Sequence, residues 1–328
     1  MKTFLDHIIG VSKQKPGVLG TVWGLPNYDG ELFTADQVNA PLLSIIGGLN
    51  GGLQSSNFEF PTASLYEFPD AEQPEYSEND SLTAPTADHI ARTQEKNVVQ
   101  IFHEAINLSY AKLSASGRLS GINTAGSQNN VADERDWQIA RKLEKVARDF
   151  NYTLYNGVYQ IATDADTANK SRGMFELMSG KDGEVDAQGS ELDKALTEQL
   201  FLAMHEAGAT FRNVILFASG LQKQKITKIY QVLPQSRNVG GANIEQIVTD
   251  FGNIGIQVDR MCPKDKLGAF DVTVMAPVFS PVPEKGNLFY EPLAKTGASE
   301  KGQLYGQMGL DHGPAFMHGV IKNLKTTS

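Results

Sequence analysis

The clearest pattern of apolar and polar positions lies in residues 133–156, DERDWQIARKLEKVARDFNYTLYN. Trp137, Ala140, Leu143, Ala147, Phe150 and Leu154 recur every three or four residues, which puts them on one face of a helix. Asp133 suits the N-cap, Glu134 and Asp136 place negative charge on the first turn, and Gly157 supplies a stop. Glu144 and Arg148 stand four residues apart on the outer face. Such a helix would be about 36 Å long.

Before it the period shortens. Phe58–Phe68 and Asn97–Leu108 read as strands, from the alternation of Phe58 with Phe60 and of Val99 with Ile101. Between them lies an acidic stretch punctuated by proline, DAEQPEYSENDSLTAPTADHIARTQEK. The pattern predicts a two-stranded projection with a solvated tip, each leg of roughly 20 residues reaching on the order of 60 Å. A hairpin standing alone is marginal in water, so this one is expected to pack against another subunit. Phe58, Phe60, Tyr66 and Phe68 have no obvious home inside one subunit and are the candidate inter-subunit contacts. Residues 1–55, broken by Pro16-Gly17, Gly47-Gly48 and Gly51-Gly52, read as an arm that cannot build a core alone. Within it Leu42–Leu49 suits a short helix or turn.

From residue 190 helices and strands alternate. Ser190 with Asp193 resembles a capping box, with a helical face of Leu192, Leu196, Leu200, Ala203, Met204 and Ala207 behind it, ended by Gly208. Val214–Phe217 is a short buried strand, and Leu221–Val232 a second helix with Lys223, Lys225 and Lys228 exposed. Ile244–Phe251, Gly255–Arg260 and Ala269–Ala276 read as three strands, with Phe251-Gly252-Asn253 as a tight turn. Short strands return near Gln303–Leu310 and Met317–Leu324.

Composition narrows the classes. A chain of 328 residues with 41% hydrophobic content can bury one large core or two linked ones. A net charge of -9 argues against direct wrapping of nucleic acid, which needs clustered lysine and arginine. Cys262 is the sole cysteine, so neither an intrachain disulfide nor a cysteine metal cluster is available, and a half-buried small residue is expected. MKTFLDHIIG is not a signal peptide, and no apolar run has the length of a membrane helix. A soluble protein in a reducing cytoplasm is expected.

Motifs with a mechanism are missing. There is no Gly-Lys-Ser/Thr phosphate loop, no His-Glu-x-x-His, no Cys-x-x-Cys and no Gly-x-Ser-x-Gly. Gly252, Gly255 and Gly268 lack dinucleotide spacing. Asp311, His312 and His318 would need further ligands to hold a metal, and read as turn residues with partly buried histidines. Asp70, Glu72, Glu75, Glu78 and Asp80 lack the EF-hand spacing and read as a solvated tip. His205 has no nucleophile matched to it. No catalytic, cofactor-binding or metal residue is assigned, and no cofactor is expected. The competing readings are another virion protein, of tail or fibre, and a hydrolase using His205 or His312.

Several blocks, in order, resemble the tailed-bacteriophage major capsid proteins of the Hong Kong 97-type fold. NVVQIFHEAINLSYA (97–111) resembles the strand returning from the extended loop, and 133–157 the long spine helix. RGMFELM (172–178) resembles the segment after it. ELDKALTEQLFLAMHEAG (191–208), VILF and QKQKITKIY resemble the opening of the axial domain. LAKTGASEKGQLYGQMGL (293–310) and AFMHGVIKNL (315–324) resemble the C-terminal strands.

The resemblance implies an α+β chain with an N-terminal arm (1–55), an extended loop (56–97), a peripheral domain (98–190 and 276–328) with spine helix 133–156, and an axial domain (191–275). It implies self-assembly into hexamers and pentamers of an icosahedral head enclosing double-stranded DNA, a non-enzymatic role, and no membrane association. It further implies a portal partner, with scaffold or decoration proteins left open, and a virion location after assembly in the bacterial cytoplasm. An acidic lumen, which would not glue the duplex to the wall, is expected. Lys96 invites comparison with members that link subunits covalently, but no partner or acidic catalyst is evident and no crosslink is expected.

Overall fold

The computed structural model describes residues 34, 39–68, 71–84, 89–116, 134–230, 233–239, 242–295 and 297–327. Most of the arm, and the expected Asp133 cap, lie outside them. In chain order the elements are α1 (Pro41–Ile46), β1 (Leu53–Gln54), β2 (Glu59–Tyr66), β3 (Arg92–Val98), β4 (Gln100–Ser109), α2 (Tyr110–Ser116), α3 (Glu134–Asn156), α4 (Met174–Leu177), β5 (Glu184–Asp186) and α5 (Lys194–Glu206). Then come β6 (Val214–Ala218), α6 (Gly220–Ile229), β7 (Leu233–Val239), β8 (Ala242–Thr249), β9 (Gly252–Val258), β10 (Leu267–Asp271), β11 (Ala276–Phe279), β12 (Leu288–Pro292), β13 (Ser299–Asp311) and β14 (Gly319–Lys322).

The contacts divide the chain into two units. The larger comprises Gln37–Phe102, Glu144–Phe289 and Gly306–Ser328. Its main sheet has seven strands in the order β5-β14-β10-β6-β9-β8-β7, with parallel pairs at β6–β9 and β5–β14. The uninterrupted apolar run VILFA of β6 follows from burial on both faces. Ile215 and Phe217 join a core with Phe150 and Leu154 of α3 and with Phe270. Val214, Leu216 and Ala218 join a second core with Leu200 and Met204 of α5, Ile226 of α6 and Leu267. A smaller sheet pairs β1 parallel to β11, and β11 antiparallel to the end of β13.

The other unit is Met1–Asp36, His103–Leu143 and Tyr290–Tyr305. Among its described residues, Ile106, Leu108 and Leu304 are buried. Polar links are prominent: Lys142 Nζ lies 2.7 Å from Glu104 Oε2, and the Tyr110 N–H donates to the Ala298 carbonyl at 3.1 Å.

Several expectations need correction. The helix after residue 190 begins at Lys194, because Asp193 itself is the N-cap and accepts from the Leu196 N–H at 2.8 Å; Ser190 and Leu192 precede it. The turn between β8 and β9 is Asp250-Phe251, since Gly252 already pairs with Thr249. Ala269–Ala276 is two strands, split where the Asp271 carboxylate accepts from Thr273 and bends the chain. Of the three α6 lysines only Lys228 is fully exposed; Lys223 is held by Glu245. The expected hairpin legs shorten, as described next.

Candidate assembly interface

Strands β2 and β3 pair antiparallel from Glu59↔Val98 to Tyr66↔Arg92. At eight and seven residues they give legs on the order of 25 Å, well short of the expected reach. Beyond Tyr66 the sequence is rich in proline and like-charged carboxylates, which oppose a ladder, and among the described residues of the tip a short turn forms at Asp80–Leu82.

The root of the hairpin is built into the larger unit by side chains that the hydrophobic pattern does not reveal. Asn97 is fully buried. Its amide donates to the Leu310 carbonyl at 2.8 Å and the Arg172 carbonyl at 3.2 Å. Its Oδ1 accepts from the Arg172 N–H at 2.8 Å and the Val98 N–H at 2.9 Å. One side chain thus ties three chain segments together. Beside it Phe60 packs with Val99 and Val278. Phe60 is only 5% exposed: contrary to expectation, it has a home inside its own subunit. Gly309 makes the room: a Cβ there would stand 2.7 Å from the Val98 carbonyl and 3.1 Å from the Phe60 ring.

The ladder register shifts between Pro61 and Ala63, which makes Thr62 a bulged residue. Thr62 Oγ1 lies 3.2 Å from Nε2 of His312. His312 Nδ1 is 2.7 Å from the Gly313 carbonyl and must donate to it, so the neutral ring accepts from Thr62. The His312 carbonyl in turn accepts from His318 Nε2 at 2.7 Å, and His318 Nδ1 accepts the Asp271 N–H at 3.2 Å. Both histidines are fully buried, where partial burial was expected. Burial pushes His318 down to about 4 and also lowers His312. On the rim, Lys96 pairs with Glu59 at 3.1 Å, Lys181 pairs with Glu95 at 3.2 Å, and the Arg172 guanidinium sits 4.5 Å over the Tyr159 ring.

Other side chains of the hairpin face outward. Phe58, Tyr66 and Phe68 are 51%, 62% and 71% exposed. Tyr66 and Phe68 form an edge-to-face pair with centroids 5.4 Å apart. Tyr76, Leu82 and Ile90 are exposed further along. Between Glu67 and Ile90 the sequence has seven carboxylates and no lysine or arginine.

The groups weighed for chemistry are dispersed. His205 is an exposed flank residue against the Phe251 ring, and no group of three potential metal ligands exists among the described residues. Cys262 is fully buried, more than expected, and burial raises its thiol well above the ordinary range. No described helix is long and apolar enough to cross a membrane.

Solved structures place this architecture. The chain is 13% identical to the Cyanophage A-1(L) capsid protein, with a TM-score of 0.61 over 92% of this chain and 97% of that one. It is 9% identical to the SrpI encapsulin of Synechococcus elongatus PCC 7942, with a TM-score of 0.56 over 91% and 94%. It is 12% identical to the capsid protein of a native GTA particle, with a TM-score of 0.55 over 92% and 95%. The fold is the Hong Kong 97 type, that of shell-building subunits. More particularly, residues 11–325 match the SU10 major capsid protein model, and the chain belongs to that family. It is a structural, capsid-forming protein of the virion, assembling as a homo-oligomeric shell. No curated protein matches it in sequence.

Proposed function

We propose that this chain builds hexamers and pentamers of an icosahedral phage head around double-stranded DNA, with the β2–β3 hairpin as the arm that each subunit lays on its neighbour. The observation that carries this is the outward Tyr66–Phe68 pair, which stays exposed although the chain closes its own cores without it. Neighbouring exposed aromatics of this kind mark surfaces that contact other proteins. Phe58, Tyr66 and Phe68 are the contact residues; Phe60 serves the hairpin root. In this reading residues 1–55 form an arm, 56–97 the extended loop, 98–190 with 276–328 the peripheral domain, and 191–275 the axial domain. The subunit performs no catalysis, assembles in the bacterial cytoplasm, and meets portal, scaffold and decoration proteins there.

The test is negative-stain microscopy of the expressed chain beside a Phe58→Glu/Tyr66→Glu/Phe68→Glu variant. Wild type should form shells or capsomers, while the variant stays dispersed with an unchanged circular dichroism spectrum. Normal shells from the variant would remove the hairpin from the assembly contact.

A further inference from the structure

We propose that the buried His312–His318 pair is an acid-sensitive fastener, which holds strand β2 to the body at neutral pH and loosens it at the Thr62 bulge on acidification. Its consequence for assembly rests on the hairpin reading above; the fastener itself does not.

The geometry fixes which ring responds. His318 Nδ1 accepts a backbone N–H from Asp271, and its Nε2 donates to the His312 carbonyl. A second proton on His318 can only go to Nδ1, where it faces the Asp271 N–H. A backbone donor cannot rotate into an acceptor, so protonation must break that bond and displace the ring. His312 is more tolerant: a proton on its Nε2 faces the Thr62 hydroxyl, which can turn and accept. Displacing His318 withdraws the donor from the His312 carbonyl, and the same residue's ring carries the contact to Thr62. Because Thr62 is bulged, it has no ladder partner in β3 to hold it afterwards.

The surrounding charges favour a switch over a permanently neutral pair. Glu95 on β3 acts on both rings and favours their charged forms, and its Oε2 is buried without a hydrogen-bond partner. Asp271 also favours a charged His318. Arg172 and Lys181 oppose charge on His312, and His312 opposes charge on His318. Asp311, half-buried beside this loop and accepting from the Gly313 N–H, is raised by its burial. A displaced, protonated histidine therefore has Glu95 as a ready counter-charge. Asn97 and Phe60 lie outside the relay, so acid loosens β2 locally and does not detach the whole hairpin.

Hydrogen–deuterium exchange of the full chain tests this, read on peptides covering 59–66 near pH 7 and near pH 4.5. Wild type is compared with His318→Gln, whose amide can accept from Asp271 and donate to His312 but cannot titrate, and with Thr62→Val. Comparing variants at one pH cancels the intrinsic pH dependence of exchange. Near pH 7 wild type and His318→Gln should protect β2 equally, with Thr62→Val exchanging faster at both values. Near pH 4.5 wild-type β2 should exchange on the order of tens-fold faster than His318→Gln. Equal exchange of those two at the lower pH, or a Thr62→Val as protected as wild type, overturns the proposal. Should His318→Gln fail to fold, the wild-type imidazole resonances decide: a His318 that titrates like a free imidazole overturns it too. Failure of the hairpin as an assembly arm would instead show in the shells, with the exchange pattern intact.

Discussion

Replacing Asn97 with alanine removes the one side chain that joins the hairpin root to the segments at 172 and 310. Four backbone groups then lose a partner: the buried Leu310 carbonyl and Val98 N–H, and the part-buried Arg172 carbonyl and N–H. Each buried group left unsatisfied costs about 1–3 kcal/mol, so the two fully buried groups alone give at least about 2 kcal/mol. That is a large share of the roughly 5–15 kcal/mol of a whole domain. Urea unfolding of Asn97→Ala should show a lower midpoint with little change in slope, and β3 should lose exchange protection first. Asn97→Asp separates the two halves of the clamp. It keeps an acceptor for the two N–H groups but aims an oxygen at two carbonyls, so near neutral pH it should be worse than alanine. At acid pH a protonated carboxyl can donate to one carbonyl, and the gap should narrow. A cost for Asn97→Ala under about 1 kcal/mol, or an aspartate as stable as wild type, would refute the clamp.

Other outcomes follow from the same region. Gly309→Ala should lower the melting temperature markedly, because its Cβ meets the Val98 carbonyl backbone at 2.7 Å; thermal unfolding measures this. Phe60→Ala should cost about 3–5 kcal/mol in unfolding experiments, unlike alanine at exposed Phe68, which should leave stability within about 0.5 kcal/mol. His318, depressed from 6.5 to about 4 by folding, contributes stability that is complete above pH 6.5 and is lost as pH falls through that window. The limit is roughly 3 kcal/mol, and His318→Gln should flatten that part of the curve. Cys262 should resist a thiol reagent in the native state and react once denatured, as mass spectrometry would show.

The elements that rest on periodicity were legible in the sequence. Helix α3 runs Glu134–Asn156 within 133–156, and Phe150 and Leu154 are buried as its stripe requires. The VILF strand was legible for a similar reason, since an apolar run flanked by helices implies two covered faces. The outgoing strand of the hairpin was legible, but its partner is Arg92–Val98, largely within the polar stretch read as the tip, while the run Asn97–Leu108 is mostly β4, which pairs with β13; alternation shows neither which run is the partner nor where pairing stops. Phe60 was misread because alternation says that Phe58 and Phe60 share a side; it does not say that a glycine at 309, far along the chain, opens a slot for only one of them. Asn97, Thr62 and the histidine pair were invisible as a unit. Asn97 reaches Arg172 and Leu310, 75 and 213 residues away, Thr62 reaches His312 across 250 residues, and His318 reaches Asp271 across 47; no local pattern encodes such partners.

The carboxylates between Glu67 and Ile90 have a kinetic side. Two free subunits that meet tip to tip bring strongly like-charged ribbons together, and repulsion rises steeply once they come within a Debye length of about 8 Å. An approach of one tip to the rest of another subunit meets far less repulsion, because outside this stretch 29 lysines and arginines face 38 − 7 = 31 carboxylates, a net charge of only -2. The charge therefore filters encounters by orientation, rejecting symmetric pairs and passing head-to-tail ones. Head-to-tail contacts are the kind that propagate around a ring until it closes. The charge of this segment thus biases which of many collisions can become the first step of a shell.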